Sequence, residues 1–207
     1  RFACEIISRL KKIGALKNLD FSKKIFLFEG DIRDKKFLNE VFNNSIKMNM
    51  KIDAVMHFAG LKSVKESINN PFVYWDVNVC GSLNLFEVMN KYQCKTLVFS
   101  SSATVYGINN KLLKEDLELK PYNPYGFTKA TIENILQNIY DSDKEWRIAN
   151  LRYFNPIGAH SSGLIGENPK QIPENIFPYI CQVGLGKREK LYVFGNDWPT
   201  KDGTCIR

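Results

Sequence analysis

Short apolar runs alternate along the chain with longer stretches whose apolar positions recur every three to four residues. The short runs are residues 24–29 (KIFLFE), 53–58 (DAVMHF), 95–101 (KTLVFSS) and 147–152 (RIANLR). They predict strands buried in a sheet. The longer stretches, near 34–48, 71–92 and 127–142, predict amphipathic helices. Asp34 stands where the first would be capped, and Pro71 fits the first turn of the second. Strand–helix–strand alternation predicts βαβ units and a parallel sheet covered on both faces. The expected fold class is α/β, a partial doubly wound, Rossmann-like sheet.

The pattern changes after Asn155. Residues 156–173 hold Pro156, Gly158, Gly163, Gly166, Pro169 and Pro173, which predicts a long loop. Beyond it, 174–186 predicts a helix and 191–194 a short strand. These later segments build little core alone. Residues 1–155 are therefore expected to form one domain, and 156–207 the start of a smaller one. With Arg1 first and Arg207 last, the chain reads as a fragment.

Composition narrows the function classes. The 207 residues are 44% hydrophobic and 25% charged, which is ordinary for a globular protein. A surplus of 29 basic over 22 acidic residues gives a net charge of +7. The lysines are scattered and form no basic stripe interleaved with aromatics, so nucleic-acid binding is not expected. The surplus would still attract a nucleotide diphosphate. Cys4, Cys80, Cys94, Cys181 and Cys205 form no Cys-x-x-Cys pair. An odd count without a signal peptide predicts reduced thiols and a cytoplasmic location. No apolar run approaches the ~18 residues of a membrane helix, so no membrane partner is expected. His57 and His160 lack Cys or acidic partners at ligand spacing, and no metal site is expected.

Open parallel sheets bind ligands at the carboxyl ends of their strands. Chemistry-bearing residues stand there: Asp31 after the first run, Gly60 and Lys62 after the second, Ser102 after the third, Asn155 after the fourth. Tyr125 and Lys129 lie four residues apart and share one helix face. A free Tyr titrates near 10, and lowering it by about three pH units takes roughly 4 kcal/mol of preferential phenolate stabilisation. A nearby ammonium and a cationic ligand ring would favour the phenolate and make a general base. Alone, a Tyr-x-x-x-Lys match is weak, and its plain reading is a surface lysine beside a half-buried tyrosine.

Context strengthens it. Phe99-Ser100-Ser101-Ser102-Ala103-Thr104-Val105-Tyr106-Gly107, Asn123-Pro124-Tyr125-Gly126, Arg152-Tyr153-Phe154-Asn155-Pro156, Gly195-Asn196-Asp197-Trp198-Pro199-Thr200 and Asp202-Gly203-Thr204 recur at family-specific spacing. Together they resemble the extended short-chain dehydrogenase/reductase family, and within it the UDP-glucose 4-epimerases. The resemblance implies an NAD-binding first domain and a UDP-sugar-binding second one. It implies Ser102, Tyr125 and Lys129 as the catalytic set. Lys129 would lower the Tyr125 pKa and grip the nicotinamide ribose. Asp31 and Ile32 would hold the adenine of NAD; Phe58, Ala59, Gly60, Lys62 and Asn78 would line the dinucleotide, with Phe154 on the nicotinamide side. Asn155, Asn175, Tyr192, Phe194 and Arg207 would bind the UDP moiety. A homodimer through helices 71–92 and 127–142 is also implied.

Several of these residues have plain readings beside the functional one. Phe58 and Phe194 suit a core, Asp31 suits a helix cap, Asn78 suits buried backbone, and His57 is read as structural. The 207 residues contain no counterpart of the family's Gly-rich pyrophosphate turn, so the chain alone is expected to bind NAD weakly or not at all. Two rival functions stand beside the epimerase. A nucleotide-sugar 4,6-dehydratase needs an added acid/base, typically Asp-Glu after the Ser/Thr, where this chain has Ala103-Thr104. A non-catalytic relative is disfavoured by intact Ser102, Tyr125 and Lys129.

Overall fold

The computed structural model describes residues 26–108, 112–167, 172–173 and 175–204. Helix α1 (Lys35–Lys47) begins where Asp34 accepts hydrogen bonds from the Lys36 and Phe37 amides. Such a cap is worth about 1 kcal/mol. Strand β1 (Val55–His57) follows, then helix α2 (Val64–Asn69), started by Ser63. The run expected as helix 71–92 is helical throughout but changes pitch. It comprises α3 (Pro71–Tyr74) with Pro71 in its first turn, a π-helical stretch (Trp75–Cys80), and α4 (Gly81–Lys91). Strand β2 (Thr96–Ser102) leads into a 3-10 turn (Ala103–Tyr106). Helix α5 (Pro124–Ser142) and strand β3 (Arg147–Tyr153) follow.

The sheet is parallel, in the order β1-β2-β3. Register pairs His57 with Phe99, Ser101 with Arg152 and Ser102 with Tyr153. Burial alternates along β2: Leu97, Phe99 and Ser101 are buried and their neighbours only partly so. Leu97 and Phe99 pack against Phe86 and Met89 of α4 and Ile132 and Leu136 of α5. Fully burying side chains of this size stabilises the fold by about 1.5–3 kcal/mol each. Among the described residues one face carries the core, while Met56 and Val98 point to the other and stay exposed or half-exposed.

Two expected strands do not form among the described residues. Residues 26–29 have no regular structure (24 and 25 lie outside the described residues), and 191–194 likewise form no strand. Both runs are apolar enough, but a strand is held by ladder hydrogen bonds, and neither finds a partner among the described residues. Helix α2 went unforeseen because six residues are too few to display a period.

The first compact unit spans Phe28–Phe154. The described residues from Asn155 onward belong to a second unit. It contains helix α6 (Ile176–Gly184) and a single bridge between Ala159 and Gly166. No helix among the described residues is long and apolar enough to cross a membrane.

Candidate functional site

Strand β2 ends at Ser102, where the chain bends into its 3-10 turn. There Thr104 donates twice to Ser102 Oγ, from its amide at 3.2 Å and its hydroxyl at 3.0 Å. The turn closes at Gly107, whose φ of +69° and 1.9 Å clearance between a built Cβ and the Lys120 carbonyl admit no side chain. Asn123 then caps α5, accepting from the Gly126 amide at 2.8 Å. That cap fixes the first turn of the helix carrying Tyr125. Tyr125, Lys129 and Glu133 recur every four residues on one helix face, and all three are buried, at 9%, 6% and 5% exposure.

Ser102, Tyr125 and Lys129 come together at this carboxyl edge of the sheet. The Ser102 side chain hydrogen-bonds Tyr125. Lys129 Nζ donates to the Ser100 carbonyl at 2.8 Å and lies 5.8 Å from the centroid of the Tyr125 ring. Burial brings the Lys129 ammonium down to about 8. Burial also pushes the Tyr125 phenol above its ordinary value, and the Ser102 hydrogen bond only partly offsets this. The sequence suggested that Lys129 would depress the Tyr125 pKa. Among the chain's own groups, desolvation outweighs every other influence on the phenol.

The loop after β1 is shaped from behind by the π-helical stretch. Asn78, on that stretch, is 1% exposed. Its Oδ1 accepts from the Leu61 amide at 2.7 Å, and its Nδ2 donates to the Leu61 carbonyl and Thr128 Oγ1, each at 3.1 Å. Thr128 in turn donates to the Tyr125 carbonyl at 2.7 Å. Asn78 therefore spends both amide hydrogens on the chain itself and ties the loop to the helix of Tyr125. Its plain reading, satisfying buried backbone, describes the contacts. A π-helical stretch inside a helix is frequent at functional sites. The Asn78 carbonyl accepts from the Ser82 hydroxyl, which itself accepts from His57 Nε2 at 2.8 Å. With its single hydrogen so used, Ser82 fixes His57 as the Nε2–H tautomer.

Burial, and then the charge of Lys129, bring His57 down to about 4. Unfolded, it would titrate near 6.5. A folded-state pKa below the unfolded one adds stability that is full above about 6.5 and lost as pH falls toward 4. Urea unfolding between pH 7.5 and 4.5 should show a fall on the order of 3 kcal/mol from this group. A His57→Asn variant should lose distinctly less over the same range. Equal losses in both proteins would show that His57 does not titrate as described.

The remaining candidates fall into groups. Phe58, Ala59, Gly60 and Lys62 are exposed on the loop after β1. Asp31 is exposed, and Arg33 holds its carboxyl down at about 2, through side-chain bonds at 3.0 and 2.7 Å and a backbone bond at 2.9 Å. Ile32 packs partly buried against the core. Phe154 is exposed just past the end of β3. In the second unit, Asn155, Tyr192 and Phe194 are exposed. Asn175, at the N-terminus of α6, donates to Glu167 at 2.8 Å. Arg207 lies outside the described residues.

Sequence reasoning passed over Glu133, Arg152, Ser101, Thr104 and Thr128 as functional residues. One signal could have found Glu133: it continues the four-residue spacing of Tyr125 and Lys129, and a carboxylate on a buried face needs a cationic partner.

Residues 3–207 match the family described as GDP-mannose 4,6 dehydratase. The chain is 48% identical over 203 residues to the bifunctional UDP-glucose 4-epimerase and UDP-xylose 4-epimerase 3 of Arabidopsis thaliana, covering 98% of this chain and 56% of that protein. It is 48% identical over 206 residues to UDP-glucose 4-epimerase of Bacillus subtilis (strain 168), covering 99% and 57%. Among solved structures it resembles UDP-glucose 4-epimerase from Bifidobacterium longum in complex with NAD+ and UDP. That match has a TM-score of 0.76 and 45% identity, over 86% of this chain and 52% of that one. The chain thus spans a little over half the length of these relatives.

Proposed function

We propose that this chain, which belongs to the GDP-mannose 4,6 dehydratase family, carries the proton-transfer site of an NAD-dependent UDP-glucose 4-epimerase. Its basis is a single juxtaposition: the half-buried Ser102 hydroxyl beside buried Tyr125 and Lys129, at the carboxyl edge of a parallel sheet. Similarity to proteins named UDP-glucose 4-epimerase supplies the substrate class.

The residues present fit NAD on a structural test. Gly60 has φ +154°, and a Cβ there would stand 3.0 Å from Asn78 Oδ1 and 3.9 Å from Lys129 Nζ. Bare backbone beside a buried ammonium suits a dinucleotide that must approach closely. Asp31 and Ile32 would hold its adenine, Phe58, Ala59, Gly60 and Lys62 its length, and Lys129 its nicotinamide ribose. Bound there, NAD would supply the hydride acceptor and donor for the sugar C4.

Tyr125 removes the 4-hydroxyl proton and later gives it back. Ser102 holds that hydroxyl and shares a hydrogen bond with the phenol. A cationic nicotinamide beside Lys129 would oppose the burial that raises Tyr125. In the second unit Asn155, Asn175, Tyr192, Phe194 and Arg207 would grip the UDP moiety, the guanidinium meeting diphosphate oxygens bidentately. A homodimer through the Pro71–Lys91 and Pro124–Ser142 helices belongs to the same proposal. It is supported by exposed Phe72, Leu83 and Phe127 and by a groove of about 460 Å³ lined by Leu83, Ile135, Ile139 and Trp146. A cytoplasmic location is proposed from the cysteine pattern.

The test is product analysis with UDP-galactose, using the intact protein that carries this sequence. Formation of UDP-glucose without net reduction of NAD is expected. A 4-keto-6-deoxy product would instead place the protein with the dehydratases, against the absence of a carboxylate at Ala103-Thr104. UDP binding without turnover would make it a binding protein.

A further inference from the structure

Two turns beyond Tyr125, the same face of α5 carries a buried carboxylate that the proton-transfer scheme does not use. Glu133 is 5% exposed. Arg152 of β3 grips it in a fork, Nη2 to Oε2 at 2.7 Å and Nε to Oε1 and Oε2 at 3.1 and 3.2 Å. The Ser101 hydroxyl donates to Glu133 Oε1 as well. The remaining nitrogen of Arg152, Nη1, donates to the Tyr106 hydroxyl at 2.9 Å and to the Glu115 carbonyl at 3.0 Å. The guanidinium also lies 4.9 Å from the Tyr106 ring centroid.

These bonds join four elements around one residue. Ser101 immediately precedes Ser102 on β2, and Arg152 is the ladder partner of Ser101 on β3. Tyr106 ends the 3-10 turn that begins just after Ser102. Glu133 belongs to the helix of Tyr125. A buried ion pair of this kind gives little net stability, because desolvating both charges offsets their attraction. Its effect is on position: the strand end and the turn flanking Ser102 are both tied to the helix face that presents Tyr125.

We infer that Glu133 and Arg152 form a positioning clamp that sets the Ser102–Tyr125 hydrogen bond for proton transfer. The kinetic part of this inference rests on the epimerase proposal above; the geometric part does not. Loosening the clamp weakens the Ser102 hydrogen bond, which pulls the Tyr125 phenol down, so its titration moves to higher pH. Of the other charged or titratable groups near α5, Lys65 of α2 and Arg147 of β3 are exposed. Glu66 of α2 accepts from Tyr74, Asp76 binds Arg33, and His57 is bonded to Ser82.

Glu133→Gln keeps the shape and removes the charge. Ser101→Ala leaves the ion pair intact and cuts one strand of the clamp, so it tests the same idea where Glu133→Gln does not fold. Tyr125 is followed by NMR of ring-labelled tyrosine, its signal assigned by loss in Tyr125→Phe, in the intact protein that carries this sequence. Glu133→Gln should raise the Tyr125 midpoint by about half a pH unit or more, and Ser101→Ala should raise it less. Turnover of UDP-galactose should fall about 10- to 100-fold in Glu133→Gln with UDP affinity unchanged, as misplacement of a reacting group does. An unmoved Tyr125 midpoint in a folded Glu133→Gln, or in Ser101→Ala if only that variant folds, overturns the clamp whatever the activity. A shifted midpoint in a protein whose wild type never epimerises UDP-galactose sinks the epimerase proposal and leaves the clamp standing.

Discussion

Replacing Tyr125 by Phe is expected to slow conversion of UDP-galactose by about 10²–10⁴-fold, the usual contribution of a general acid–base group. UDP affinity should stay near that of the wild type. The ring is packed at 9% exposure and remains in the variant, so the surroundings keep their shape. Only the oxygen that meets the Ser102 hydroxyl is lost. The measurement is a rate–pH profile with UDP-galactose beside calorimetry with UDP. Near-normal turnover would remove Tyr125 from the chemistry. A loss of UDP affinity as large as the loss of rate would make the residue structural.

Lys129→Met should move activity and stability in opposite directions. A charged ammonium at 6% exposure is costly, and burial has brought it down to about 8 from a usual value above 10. Because the folded value lies below the unfolded one, stability from this group is full above about 10.5 and lost as pH falls toward 8. At pH 7 the whole penalty is present. Methionine fills nearly the same space without charge. Its gain at pH 7 should be on the order of 1–3 kcal/mol, reduced by the lost bond to the Ser100 carbonyl. The gain should shrink as pH approaches 10. Turnover should fall, and its onset should move to higher pH because a cation near the phenol is gone. Urea unfolding at pH 7 and 10, with a rate–pH profile, checks both halves. A variant that is less stable at pH 7 would mean that Lys129 is a supporting residue of the fold. A variant that is more stable and fully active would remove it from the mechanism.

A residue held at a cost to the fold is a physical mark of a functional site. Buried Tyr125 and Lys129 both bear it. Neighbouring Glu133 and Arg152 are different: each is the other's partner, so neither is an uncompensated charge.

Local chemistry made much of this protein legible before its fold was known. The Asp34 cap, Pro71 in a first turn, the β1, β2 and β3 runs and the Tyr125–Lys129 spacing depend on neighbours within a few residues. So do the strand-end positions of Ser102 and the 58–62 loop, because a parallel sheet puts its ligands there. What depends on distant partners stayed hidden. Apolar runs at 26–29 and 191–194 have the composition of strands, but ladder hydrogen bonds come from another part of the chain, and these runs have none among the described residues. The π-helical stretch at Trp75–Cys80 obeys a helical pattern in sequence. Its pitch coincides with contacts from Leu61 and Thr128, up to 50 residues away. The direction of the Tyr125 shift was likewise undecidable from spacing. Four residues apart says that a phenol and an ammonium share a face. It says neither how deeply packing buries them nor that Lys129 gives its hydrogen bond to Ser100, and at Tyr125 desolvation is the larger influence. Sequence spacing set which groups could meet; burial, a property of the packed whole, decided which of their interactions prevails.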